Sequence, residues 1–196
     1  MSGKSTVARA IATEIGFSTI ATDDLGAAAR GVTGPEVAPD LFAARAEDHR
    51  EYYLSHTVEE LLDHAERAHR ALWPAISSVI HEHATWARSS IIEGWALLPA
   101  LVAKLDLASI AAVWIDVPES VLNARVRADT AFYAGASDPE LMIRRFTSRS
   151  VEFGLRLREQ TSALHLPLVR LSGAETPEEA CVALLHAIGG GRLTRR

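Results

Sequence analysis

A chain of 196 residues, 48% of them apolar, suits one α/β domain with its own core and room for a helical insertion. A single cysteine, Cys181, excludes a disulfide framework and fits a reducing compartment, while a formal net charge of −5 argues against a general nucleic-acid binder. No basic stretch leads into an apolar core at the amino end, and no run of about 18 uncharged apolar residues occurs. A soluble, cytoplasmic protein without a membrane partner is the expectation.

The first residues, Met1-Ser2-Gly3-Lys4-Ser5-Thr6, run directly into a helix-like segment. Gly-Lys-Ser is the closing half of the phosphate-binding pattern G-x-x-x-x-G-K-[ST]. Gly3 lets the backbone approach phosphate oxygens, and the amides around Lys4 and Ser5 open a helix whose positive dipole end faces an anion. Lys4 adds a point charge for the β- and γ-phosphates, and the Ser5 hydroxyl can ligate Mg²⁺. The chain has 18 arginines and only two lysines, Lys4 and Lys104, so the placement of Lys4 between Gly and Ser-Thr is selective. The competing reading is an ordinary helix cap by Ser2 or Ser5. The first Gly of the pattern, and the strand that would carry it, would lie before Met1. Either the natural chain starts upstream or this is a truncated or degenerate copy; the first is the expectation, because loss of a central strand rivals the whole stability of a domain, about 5–15 kcal/mol.

Residues 5–15 read as a helix with Val7, Ala8, Ile11 and Ile15 on one face and Gly16 as terminator. A short strand over 17–21 ends in Thr22-Asp23-Asp24. A carboxylate there sits at the rim where open α/β sheets bind ligands, so Asp23 is a candidate to orient an acceptor hydroxyl and take its proton. It could equally hold a Mg²⁺-bound water, and Asp23 or Asp24 could simply cap a helix starting at Leu25. Residues 31–39 are a Gly/Pro loop, 40–73 turn helical and charged, Pro74 interrupts, and a further helix covers 75–87. Six of the eight histidines lie here, and the spacing His81-Glu82-His83 puts the two imidazoles on different helical faces, unlike a zinc helix. They read as solvated or half-buried helix histidines, with a smaller claim for a few of them, beside Arg45 or Arg50, on an anionic acceptor.

Ser90 to Gly94 reads as a strand ending in Glu93, an acid placed to hold a metal-bound water or to cap the next helix. An apolar helix is expected over 95–105 and a doubly buried strand over 111–117. Pro118 opens a helix carrying Arg125 and Arg127. A loop over 133–139 leads to a long helix with Arg144, Arg145, Arg149, Arg156 and Arg158. Arginines on both sides of a loop suit a closing lid that neutralises a transferring phosphoryl group, with Arg125 and Arg145 foremost. A last strand over 168–171, a Ser-Gly-Ala-Glu loop at 172–175 and a helix over 177–188 complete the domain, with 190–196 a basic tail.

Together these segments resemble the phosphate-loop small-molecule kinases of the nucleoside-monophosphate-kinase-like group, and most closely 2-phosphoglycerate-kinase-like proteins. The resemblance rests on G-K-S-T at 3–6, T-D at 22–23, I-I-E-G-W-A-L-L-P at 91–99, R-R-F-T-S-R at 144–149 and L-S-G-A-E-T-P-E-E at 171–179. The family's E-G-x-H-L-x-P carries a His where this chain has Ala96, which leaves the acceptor open. The resemblance implies a three-layer α/β phosphate-loop NTPase fold with parallel sheet order 2-3-1-4-5, its first strand missing from this chain. It implies one domain over 1–189, with an acceptor-binding helical region at 40–87 and a lid at 128–150. It implies nucleotide contacts at Gly3, Lys4, Ser5 and Thr6, an acceptor-facing acid at Asp23, and lid arginines among Arg125, Arg145 and Arg149.

The expected activity is ATP- and Mg²⁺-dependent phosphoryl transfer to a hydroxyl of a small metabolite, with Lys4, Asp23, Arg125 and Arg145 catalytic and Ser5, Glu93 and Asp23 around the metal. The alternative is a phosphate-loop protein that binds nucleotide as a regulatory signal without transfer. Neither the acceptor nor the oligomeric state is legible in the sequence.

Overall fold

A computed structural model describes residues 3–45, 47–105 and 108–189 of the chain; the proposed tail at 190–196 lies outside them. Helix α1, Lys4–Ile15, buries Val7, Ala8, Ile11 and Ala12, the face its apolar spacing marks out, and stops at Gly16 in the left-handed region. It returns the chain to β1, Ser18–Ala21, which leads without a loop into α2, Thr22–Val32. Two short 3₁₀ turns at Pro39–Leu41 and Ala43–Arg45 precede α3, His49–Ser55, and α4, Val58–Thr85.

The helical region departs from the expectation in two places. The break falls at Ser55–Thr57, where Thr57 and Glu60 cap reciprocally (Thr57 N–H to Glu60 Oε2, 2.8 Å; Glu60 N–H to Thr57 Oγ1, 3.3 Å). Pro74, by contrast, sits inside an unbroken helix of 28 residues. An internal proline costs about 3 kcal/mol. The stripe of Leu61, Leu62, Leu72, Ile76 and Ile80 buries on both sides of it, each residue contributing about 1.5–3 kcal/mol, and so outweighs the break.

Strand β2, Ser90–Glu93, is followed by a single helical turn, α5, Pro99–Val102, where a longer helix was expected. Strand β3 covers only Trp114–Asp116; α6 runs Glu119–Ala128, α7 Thr130–Tyr133 and α8 Pro139–Ala163. Strand β4, Leu168–Arg170, and α9, Pro177–Ala187, close the described chain.

The architecture is α/β, with two small parallel sheets rather than one. β1 pairs with β2, placing Ala21 beside Glu93, and β3 pairs with β4, placing Asp116 beside Arg170. No backbone hydrogen bond joins β2 to β3 among the described residues. Ile91 packs toward α1 and α9, and Ile92 toward α2 and α4, so β2 is covered on both faces as a parallel strand must be. A third cluster gathers Tyr52, Tyr53, Leu61 and Met142 where α3, α4 and α8 meet. No described helix is long and apolar enough to cross a membrane.

Candidate active site

Gly3 caps α1 with φ +88°, a conformation that L side chains resist, and a Cβ there would lie 3.3 Å from Nη1 of Arg125. Among the described residues no side chain caps this helix, and its first turn holds no acid; Ser5 and Thr6 are exposed. The positive dipole end of α1 is thus turned outward with Arg125 beside it, a suitable seat for an anion.

The same end of α1 borders two cavities, and Lys4 lines both. The smaller, about 490 Å³, is bounded by Gly3 to Val7, Arg125 and the loop from Gly173 to Pro177. That volume is in the range of small-molecule sites, about 300–1,000 Å³. The loop is held by Glu175, whose carboxylate accepts from Ser172 N–H (2.8 Å), Ser172 Oγ–H (2.8 Å) and Gly173 N–H (2.9 Å). Those bonds, led by the Ser172 amide, pull its pKa down to about 2.

The larger cavity, about 2470 Å³, contains Lys4, Asp23, Glu93, Trp95 and Arg149 in its wall. Asp23 lies in the first turn of α2, two residues beyond β1, and Glu93 ends β2. The Ala21–Glu93 register brings these acids to neighbouring strand ends. Gly94 makes the approach possible: its φ is +149°, and a Cβ there would sit 1.7 Å from Thr22 Oγ1. Neither acid accepts a hydrogen bond among the described residues, and α2 has no side-chain cap, so Asp23 does not act as one. Burial lowers the Lys4 pKa; Glu93 and then Asp23 oppose that, and Arg149 reinforces it. Lysine, two acids and an arginine therefore share one electrostatic environment.

Arg149 is held by its surroundings. Its Nη1 donates to Tyr53 Oη (2.6 Å), and its guanidinium lies 4.7 Å from the Trp95 ring, 4.8 Å from Phe146 and 5.4 Å from Tyr53. Its buried Nε has no hydrogen-bond partner among the described residues. Behind Trp95 stands His69, 4% exposed, with ring centroids 4.3 Å apart and planes near perpendicular. Burial, aided by Arg149, drives the His69 pKa down to about 4, so the ring is neutral at neutral pH.

Arg145 does not join this group. It turns to the carboxyl end of α3, where Nη1 donates to the carbonyls of Tyr53 (3.1 Å) and Leu54. Arg127 pairs with Glu140 (2.7 Å), and Arg50 is taken up by Asp48 (2.6 Å) and Ala134 O (2.9 Å), whereas Arg45 does reach the larger cavity. Three of the eight histidines have local protein contacts: His49 meets Phe132 O (2.8 Å), and His56 and His64 lie against the Tyr52 ring.

The sequence reading places His69 only among the solvated or half-buried helix histidines and does not single out Asp116. His69 lies at the helical spacing of any core position, and nothing local marks it. Asp116 ends β3, only 8% exposed, and is gripped by Arg158 (3.0 and 2.9 Å) and Arg170 (3.2 Å). An acid closing an apolar strand was the available signal. Among the described residues no three His, Cys, Asp or Glu side chains cluster as a metal site by themselves. No protein-family model, curated protein or solved structure matches the chain.

Proposed function

We propose that the chain is an ATP- and Mg²⁺-dependent phosphotransferase acting on a hydroxyl of a small metabolite, of the phosphate-loop kinase kind. The observation that carries this reading is the place of Lys4: one helix end borders both a hollow of small-molecule size and a chamber with Asp23 and Glu93 in its wall. The finer fold belongs to the same proposal. In that reading the β1–β2 and β3–β4 pairings would correspond to the two outer pairs of a three-layer phosphate-loop sheet.

The residues present suit the groups they would hold. Gly3 in the left-handed region, the leading amides of α1 and Arg125 would form a cradle for phosphate oxygens. Ser5, Glu93 and Asp23 offer the hard oxygen donors that Mg²⁺ takes, directly or through water. The loop held by Glu175 faces the smaller cavity, where it would border the rest of the nucleotide. The nucleotide with its metal supplies the phosphoryl group and a leaving group of low basicity.

The chain's own part is positioning and charge. Asp23 accepts the acceptor hydroxyl proton as the new oxygen–phosphorus bond forms. Lys4, in the field of both acids and partly stripped of water, would follow the negative charge through transfer. Arg149, its guanidinium beside three rings and its buried Nε without a hydrogen-bond partner among the described residues, offers a further cation on the acceptor side. Arg125 stands in for the same task on the nucleotide side. Neutral His69 supports the Trp95 wall without adding charge. Measuring ADP release across phospho-sugars, hydroxy acids and nucleosides tests the reading. Acceptor-dependent release that disappears in Lys4→Ala is the expected result; tight ATP binding with no acceptor effect would instead indicate a nucleotide sensor.

A further inference from the structure

Five aromatic side chains from four separate segments line the larger cavity: Tyr53 of α3, Trp95 just after β2, Phe132 of α7, and Phe146 and Phe153 of α8. They form two groups of rings. Tyr53, Phe132 and Phe146 lie with centroids 4.9 to 5.7 Å apart, and Trp95 lies 5.7 Å from Phe153. The Arg149 guanidinium joins the two, since it sits beside rings of both. All five rings but Tyr53 are only half-buried, so part of their surface stays open.

A cluster that served packing alone would keep cations out of its middle. Here the middle is a cation whose charge is not answered. Its hydrogen bond goes to the Tyr53 phenol, which burial keeps in its neutral form. Among the described residues its buried Nε has no partner, and no carboxylate forms an ion pair with it. The nearby acids act on Lys4 instead: Glu93 and Asp23 raise its pKa, and Arg149 lowers it. One cavity wall thus offers ring faces, a surplus cation and, at Asp23, an acid.

We propose that this wall is the seat of the acceptor and that the acceptor is an aromatic hydroxy acid, with a ring that stacks on the half-open rings, a carboxylate that answers Arg149 and a hydroxyl that reaches Asp23. The inference rests on the phosphotransfer reading for the fate of the hydroxyl, but not for binding. On transfer the hydroxyl oxygen bonds to the terminal phosphorus of ATP, the bridging oxygen leaves with ADP, and the proton passes to Asp23. Ring chemistry selects this class over its rivals. Offset or edge-on stacking adds to the gain from covered area, and a saturated ligand forfeits it. A cationic ring is repelled by Lys4 and Arg149, and a neutral one leaves the surplus charge unanswered.

Three probes separate these parts: p-hydroxymethylbenzoate, its saturated counterpart p-hydroxymethylcyclohexanecarboxylate, and the neutral p-hydroxymethylbenzamide. Calorimetry without nucleotide reads their binding. The benzoate is expected to bind about 5-fold or more tighter than the saturated acid and about 10-fold or more tighter than the amide. Trp95→Leu should shrink the first ratio to below about 2-fold while Trp95→Phe preserves most of it, and Arg149→Gln should abolish the second. Equal binding of the benzoate and the saturated acid, or a first ratio unchanged in Trp95→Leu, overturns the inference. Should the variants fail to fold, proton spectra of the benzoate with the parent protein decide: upfield ring-current shifts support the stack, and their absence refutes it. Binding with the expected ratios but no ADP release on adding ATP supports the seat and dismisses the transfer. ADP release driven by glycerate or a nucleoside monophosphate, with no affinity for the benzoate, keeps the transfer and overturns this acceptor.

Discussion

The two small sheets end alike and are finished differently. β2 closes on Glu93 with Asp23 next to it, and β3 closes on Asp116. On the second sheet the acid is saturated, both its oxygens taken by Arg158 and one also by Arg170. On the first sheet the acids accept no hydrogen bond among the described residues, and the nearby Arg149 is committed to Tyr53 and a collar of rings. One helix, α8, supplies Arg149 to the first sheet and Arg158 to the second. A strand-end position alone therefore does not make an acid chemical; the choice of partner does. Asp116 ties β3, β4 and α8 together, whereas Asp23 and Glu93 line the larger cavity beside Lys4.

The largest expected effect follows from breaking that contrast at its centre. Lys4→Ala should lower acceptor-dependent turnover by about 10³–10⁴-fold, since a cation is lost where charge moves, with little change in circular dichroism. Asp23→Asn keeps the shape of the rim but not its proton acceptor, and should cost about 10²–10³-fold in kcat while nucleotide affinity holds. Full turnover in either variant would dismiss the proposed division of labour between the sheets.

A smaller effect sharpens the comparison through pH. His69 titrates near 6.5 in the unfolded chain and near 4 in the fold, so between those values the unfolded state binds the extra proton. Stability is fully present above about pH 6.5 and is lost as pH falls toward 4. From pH 7 to pH 5 the loss from this one group is about 2 kcal/mol. Urea unfolding at both pH values measures it, and His69→Phe should flatten the difference. An equal slope in the variant would mean that His69 is not the group responsible.

Local signals in the sequence read well where the cause is local. Gly16 ends α1, the Val7–Ile11 spacing faces the core, and Asp23 and Glu93 fall where strands meet the rim. Thr57-Val58-Glu59-Glu60 also carried its capping signal, and Pro74 drew the break away from it. What the sequence could not show depends on distant partners. Pro74 survives because residues on both sides of it bury together. Arg145 and Arg149 are one helical turn apart and look equivalent, yet one meets the end of α3 and the other a cage drawn from three segments. The division into two sheets is likewise a long-range fact, expressed in pairings that skip between β2 and β3.

The smallest expected effect probes the saturated acid itself. Asp116→Asn keeps one acceptor oxygen for Arg158 but removes the charge that holds two guanidinium groups. Arg158 and Arg170 are 29% and 72% exposed, so water takes over most of their solvation and the loss should be about 1 kcal/mol. Denaturant midpoints measure that shift, and turnover per folded molecule should stay within about tenfold of the parent, set by packing alone. If Asp116→Asn matched Asp23→Asn in its loss of kcat, the second sheet would carry chemistry as well. The contrast would then have to be redrawn around the cavity that both sheets line, with the Arg158–Asp116 pair as a switchable contact rather than a fixed tie.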